Sequence, residues 1–413
     1  MSSTTEPVVD SDSELLLQDV AKAKGFCKYQ IKSGSGSAKG DGFSATIISI
    51  CITGEDETKK GKTLHLIVKQ APSSQALRDS VPIVTAFERE TYMYSTVFPA
   101  LHALEIEKHL QILHFAPQFY KANRSHYKEA IVLENLKENG YVMYKAISPM
   151  NEQHVGLLLT KYARFHALSL AMRDQKINEF KKLVEPLEDV LITFFLGDFL
   201  NTIVLRCTEV KEYLVSRVNK DVIQLYSKFI NEIPSYLKQL LETVEECSVI
   251  QHGDCWSNNM MFKYYDKGDL TKPTDARLVD FQASRVGSPV MEFCHFFYSC
   301  SSKAVLDKLD YFMQFYHGKV SDFVSEMGSD PKKLFPHHIL KEHWKKYARY
   351  GLIVAATAMY AALTEEEKAV DLAELAESEG NISNALNYKI KHVDEYNKRM
   401  ENLILHFYEH NLL

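Results

Sequence analysis

The run His252-Gly253-Asp254-Cys255-Trp256-Ser257-Asn258-Asn259 and, downstream, Asp280-Phe281-Gln282 hold the residue types that phosphoryl transfer needs. One carboxylate must accept the proton of an attacking hydroxyl, and Asp254 stands in a loop to do so. An amide oxygen five residues on, at Asn259, and a second carboxylate ahead of a Phe, at Asp280, are expected to hold magnesium against nucleotide phosphates. Apolar residues precede both elements, Cys247 to Ile250 and then Leu278 with Val279, so each loop is expected to leave the end of a short strand. A tight turn at Gly253 with Asn259 as a cap would account for the first run alone. Both elements in this order point to the chemistry.

The upstream residues must then grip the phosphate donor. Gly40-Asp41-Gly42-Phe43-Ser44 abuts the β-branched run Thr46 to Thr53, and a glycine-rich turn lets backbone N–H groups approach phosphate oxygens, so Gly40, Gly42 and Ser44 are expected there. The returning strand, Thr63 to Lys69, alternates with Leu64, Leu66 and Val68 on one face. It closes on Lys69, the expected phosphate-holding cation. Helical spacing through Val84, Phe87, Tyr94 and Val97 predicts a helix over 79–98, with Glu90 pairing with Lys69 and Glu88 facing solvent. Ser11 and Glu14 form a capping-box pattern and Gly25 a stop, which predicts a first helix over 12–24. Gln118 to Ala122 and Ala130 to Leu133 read as a further strand pair. Main-chain groups at Glu134 and Leu136 are expected to meet the adenine edge, and the boundary is placed between 1–135 and 136–413.

Helical patterns dominate the rest. Val155 to Met172 is amphipathic, and His166 within it is expected to be a packed, hydrogen-bonded core histidine. Ile382, Leu386, Ile390, Val393, Tyr396, Met400, Leu403 and Phe407 predict one long C-terminal helix. The apolar run Gly351 to Leu363 is too short to span a bilayer and reads as a buried helix. The acids from Glu365 to Glu379 read as a solvated face. Phe194, Phe195, Phe199, Phe296, Phe297, Tyr298 and Tyr360 are expected to contribute to an apolar acceptor cavity beside Asp254.

With 413 residues and 46% hydrophobic content, the chain can bury a core larger than one compact unit. Lys+Arg 48 against Asp+Glu 54 gives a net charge of -6, which argues against a nucleic-acid partner. Seven cysteines without a C-x-x-C pair predict a reducing, cytoplasmic setting and no zinc site. The start, Met1 to Asp12, lacks a signal-peptide pattern, so neither secretion nor a membrane partner is expected.

In order and identity these elements resemble the ecdysteroid kinase-like family of insects, related to choline kinases and aminoglycoside phosphotransferases. The likeness rests on the two loops above, on Gly40 to Ser44, Ile67-Val68-Lys69, Phe87 through Glu90 to Tyr94 and Pro99, Val132 to Leu136 with Gly140-Tyr141, and Phe165 to Ser169. Asp254-x-Trp256 with Asp280-Phe281-Gln282 is its most specific part. The resemblance implies an α+β, bilobal protein-kinase-like fold with a small β-rich N-lobe and a large, mainly helical C-lobe. It also implies ATP with magnesium, and phosphoryl transfer to a small-molecule hydroxyl, ecdysteroid alcohols being the family's named substrates. Glu292 and Gly42 stand where the family usually shows Asp and often Asn. The resemblance implies that the first of these positions carries a carboxylate supporting the catalytic loop. A choline- or aminoglycoside-type kinase and a nucleotide-binding pseudokinase are the competing readings.

Overall fold

The computed structural model describes residues 9–36, 45–187, 196–197, 199–241, 245–266, 268–364, 372–380 and 388–413. Gly40, Gly42, Ser44, Phe194, Phe195, Glu365 to Asp371, Ile382 and Leu386 lie outside them. The chain forms two compact units, one of residues 1–95, 116–142 and 365–385, the other of 96–115, 143–364 and 386–413. Neither is a single continuous segment. The composition of the two follows the expected class: a small antiparallel sheet in the first, mostly helix in the second.

The first unit holds five strands, β1 (Lys28–Ser35), β2 (Thr46–Glu55), β3 (Gly61–Gln70), β4 (Phe119–Asn123) and β5 (Ala130–Glu134). They are ordered β1-β2-β3-β5-β4. Register aligns Ile48 with Val68 and Val68 with Val132, so the alternating apolar residues of three strands share one face. Leu16, Leu17, Val20 and Ala21 of the helix Ser11–Ala23 close that face. The cap of this helix is Asp10 and not Ser11: its carboxylate accepts from the Ser13 N–H at 2.7 Å, where an anion also meets the positive end of the helix. Gly25, at φ +77°, ends the helix as expected.

Lys69 projects from the opposite face of β3. The single helix expected over 79–98 is broken there into Gln75–Ser80, Ile83–Tyr92 and, after a π turn at Met93–Val97, Phe98–Glu107. Pro82 is the cause. It forces Val81 into extended backbone (φ −133°, ψ 138°), as a proline does to the residue before it. Pro99, in contrast, sits in the first turn of its helix, where its missing N–H costs nothing.

In the second unit the helix Glu152–Gln175 is buried almost all round over its C-terminal half, a central helix where the sequence suggested an amphipathic one. His337–Ala362 carries the apolar run and packs on Pro289–Cys300. A Cβ at Gly351 would lie 2.5 Å from Tyr298 and 2.7 Å from the Cys294 carbonyl, so glycine sets their approach. No described helix is long and apolar enough to cross a membrane. The last helix spans only Val393–Glu409, and Ile390 is buried from the turn before it. Periodic spacing does not tell a helical position from a turn that delivers one buried side chain. Two short antiparallel ladders, Val249–Gln251 with Arg285–Gly287 and Met260–Tyr264 with Pro273–Leu278, frame the loops that carry the candidate chemistry.

Candidate active site

Gln251 ends its strand, and the next residues turn sharply. Gly253 has φ +87°, and a Cβ there would meet the Ala283 carbonyl oxygen at 2.0 Å, so only glycine fits. His252 is fully buried beneath the turn. Its Nε2 lies 2.9 Å from the Val279 carbonyl and its Nδ1 3.2 Å from the Asp254 N–H, so Nε2 carries the proton and Nδ1 accepts. Val279 in turn donates its N–H to the Asn259 carbonyl at 3.0 Å. Val279 is thereby held from both ends of the 252–259 loop, and Asp280 follows it directly. The His252 ring also packs on Phe281, centroids 4.4 Å apart.

Asp254 is half-buried, and its Oδ2 accepts from Trp256 Nε1 at 3.0 Å and from Asn259 Nδ2 at 2.8 Å. Those two donors fix the carboxylate plane and leave the other oxygen outside their bonds. Burial pushes the Asp254 carboxyl above its ordinary range, as does the nearby Asp280 charge; His252, Trp256 and Asn259 act against the rise. A raised carboxylate is a better proton acceptor. Asn259 spends its amide N–H₂ on Asp254, also bonding its backbone carbonyl at 3.0 Å, which leaves the amide oxygen as the end it could offer a metal ion. Asp280 has left-handed backbone (φ 67°, ψ 70°).

The donors that magnesium takes are hard oxygens, few of them from protein. Asn259 and Asp280 fit that demand, and an Asp280 charge close enough to raise the proton affinity of Asp254 marks a place for a cation.

In the first unit, Lys69 Nζ bonds Glu90 Oε2 at 2.7 Å, both side chains buried, while Glu88 is exposed. Glu134 spends its N–H on the Gln118 carbonyl at 2.8 Å. The Leu136 carbonyl accepts from the Asn139 and Tyr141 N–H groups, both at 3.1 Å. An adenine edge would therefore meet the Leu136 N–H, not its carbonyl.

Three participants were named from the sequence without their partners. Trp256 was read only as a family mark, although a donor two residues after the base is a local signal. Glu292 bonds the Gly253 N–H at 2.9 Å and the Cys255 thiol at 3.1 Å through one oxygen. His166 has partners that sequence spacing does not show, Glu292 among them. The expected aromatic wall is also different. Phe296, Phe297 and Tyr298 are wholly buried in helix packing, and Tyr360 lies under Arg206. A small, open cleft is lined instead by Tyr144, Trp256, Ser299, Cys300, Met359 and Arg399, among others. The Arg399 guanidinium is already spent on Glu395 and on the Ala146 and Ile147 carbonyls.

Replacing Trp256 by Phe keeps an aromatic wall and removes the donor to Asp254. Turnover is expected to fall roughly tenfold, the worth of one hydrogen bond to a charged group, with nucleotide affinity unchanged. Steady-state rates beside a nucleotide titration read both, and unaltered turnover would deny Trp256 this role.

No curated protein matches the sequence. Among solved structures, the GDP and kanamycin complex of APH(2")-IIia aligns at 12% identity over 95% of this chain and 99% of that one, TM-score 0.39. A glucosamine kinase (crystal form B) aligns at 10% identity over 97% and 84%, TM-score 0.28. The sequence itself is more specific. The Ecdysteroid kinase-like family pattern matches residues 39–329, more than half of the chain and inclusive of both loops and the Lys69–Glu90 pair, and the chain belongs to that family.

Proposed function

We propose that this protein is a small-molecule kinase that transfers the γ-phosphoryl group of ATP, with magnesium, to the hydroxyl of a neutral alcohol, an ecdysteroid or a related sterol or xenobiotic alcohol. The observation that carries the reading is the Asp254 carboxylate, with one oxygen pinned by Trp256 and Asn259. Asp254 accepts the hydroxyl proton as the oxygen attacks. Lys69, aimed by Glu90, neutralises donor phosphates. Gly40, Gly42 and Ser44 approach those phosphates through their backbone, and Glu134 with Leu136 meet the adenine. Asn259 and Asp280 would hold magnesium, which would supply positive charge against the donor phosphates. We assign the protein to the cytoplasm, in line with seven free thiols.

The lining of the small cleft beside Trp256, though not its size, supports the neutral acceptor. Its walls combine apolar side chains and hydroxyls with one arginine, so a polycation such as an aminoglycoside meets no counter-charge there. A pseudokinase has no need of a base held this way. Incubation with Mg-ATP and a library of sterols, plant phenols, glycosides, choline and aminoglycosides, read by product mass, tests the assignment. Phosphorylated sterols or phenols are the expected result. Preference for choline or an aminoglycoside, or no product at all, would replace it with one of the competing readings.

The metal half has its own check. In the wild type, magnesium is expected to tighten ATP binding. In Asp280→Ala, titrations with and without the ion should coincide. Persistent magnesium dependence in that variant would remove Asp280 from the metal site.

A further inference from the structure

His166 sits at the end of a buried chain of hydrogen bonds that reaches the loop holding Asp254. Tyr316 Oη lies 2.6 Å from His166 Nδ1, and His166 Nε2 lies 2.5 Å from Glu292 Oε2. The other oxygen, Glu292 Oε1, accepts from the Gly253 N–H and the Cys255 thiol, the residues on either side of Asp254. His166 and Tyr316 are fully buried and Glu292 nearly so. Phe293 packs beside Tyr316, ring centroids 5.5 Å apart, and Tyr162 stacks along His166 at 6.0 Å.

Each link determines the next. A carboxylate on a three-bond side chain has several rotamers, and only one points its Oε1 at the loop. The imidazole, wedged between a phenol oxygen and the carboxylate, holds Glu292 in that rotamer: Tyr316 donates to Nδ1, which leaves Nε2 as the donor to Oε2. Buried charge is served by such polar partners, and a network satisfied throughout is rigid. Burial would raise the Glu292 carboxyl, yet the His166 bond and the Gly253 N–H bring it below its ordinary range, so the acceptor at the loop is an ionised one.

We propose that His166, with Tyr316 behind it, is a positioning residue for phosphoryl transfer: through Glu292 it fixes the Gly253 backbone and the Cys255 side chain, on either side of Asp254, and thereby aims the base. This rests on the kinase reading for its effect on turnover, but not for its effect on the loop.

The test separates the two. Trp256 is one of two tryptophans in the chain, so Trp344→Phe leaves it as the sole reporter on this loop. In that background, His166→Ala, His166→Gln and Tyr316→Phe are compared for Trp256 emission, acrylamide quenching, unfolding midpoint, ATP affinity and single-turnover rate. His166→Ala is expected to make Trp256 more quenchable and to lower the rate roughly 10- to 100-fold, as loss of such an outer partner does. ATP affinity should be retained. His166→Gln, whose amide can replace the Nε2 donor, should recover much of the rate, and Tyr316→Phe should show a smaller loss with the fold intact. Wild-type quenching and rate in folded His166→Ala would overturn the proposal, and if that variant does not fold, the same outcome in Tyr316→Phe does so. Absence of turnover in the parent protein, with the quenching change still present, would count against the kinase reading alone.

Discussion

Asp254→Asn is expected to keep the fold and nearly all nucleotide affinity while turnover falls by about two to four orders of magnitude, the usual worth of a positioned base. The reason is geometric. Trp256 Nε1 and Asn259 Nδ2 both donate to Oδ2, and an amide retains one acceptor for them, so the loop has no cause to move. The oxygen that would take the hydroxyl proton is replaced by an N–H₂ group, which cannot. Asn259 and Asp280 are untouched, so the nucleotide half of the site is preserved. Phosphoryl transfer has a loose transition state in which positioning and charge do most of the work, and some residual rate should persist. Single-turnover measurements with saturating Mg-ATP give the chemical step directly. Full turnover in Asp254→Asn would return the loop to a structural turn.

Gly253→Ala is expected to be nearly as damaging to turnover, and to stability as well. The added methyl would sit 2.0 Å from the Ala283 carbonyl oxygen, and backbone on that side is held by the Phe281–Ala283 turn. Left-handed backbone at an alanine costs about 1–3 kcal/mol before any clash. Relief requires the loop to move, and a displacement near 1 Å at a reacting group costs roughly a hundredfold in rate. Urea unfolding should show a lower midpoint with an unchanged slope, and the folded fraction should turn over slowly. A variant with the wild-type midpoint and rate would mean that the turn tolerates a side chain and that its glycine does not position the base.

Much of the site was legible because its chemistry is local in sequence. The spacing from Asp254 to Asn259 lies within one turn between strands, and the alternation of β3 carries Lys69 to a known face, so type and order were enough. The Lys69–Glu90 pair was legible too, since one helical turn from Phe87 places Glu90 on the buried side, where it bonds Lys69 at 2.7 Å. The helix carrying Glu90 was drawn too long because apolar periodicity runs straight through Pro82. The ring restricts Val81 whatever the pattern says.

Sequence by itself determined the class of fold, the family and the residues proposed for the chemistry, because each depends on local pattern: strand alternation, helical period and short motifs. Only the tertiary structure decided what holds those residues in place. Val279, clamped between His252 and Asn259, joins two loops that are separate in the chain. His166 and Glu292 meet at 2.5 Å although they are 126 positions apart, and the aromatic residues expected around an acceptor are spent on helix packing while Trp256 and Tyr144 line the cleft. Periodicity shows that a side chain is buried but not what it is buried against, and hydrogen bonds between distant segments exist only once packing has brought donor and acceptor within 3 Å.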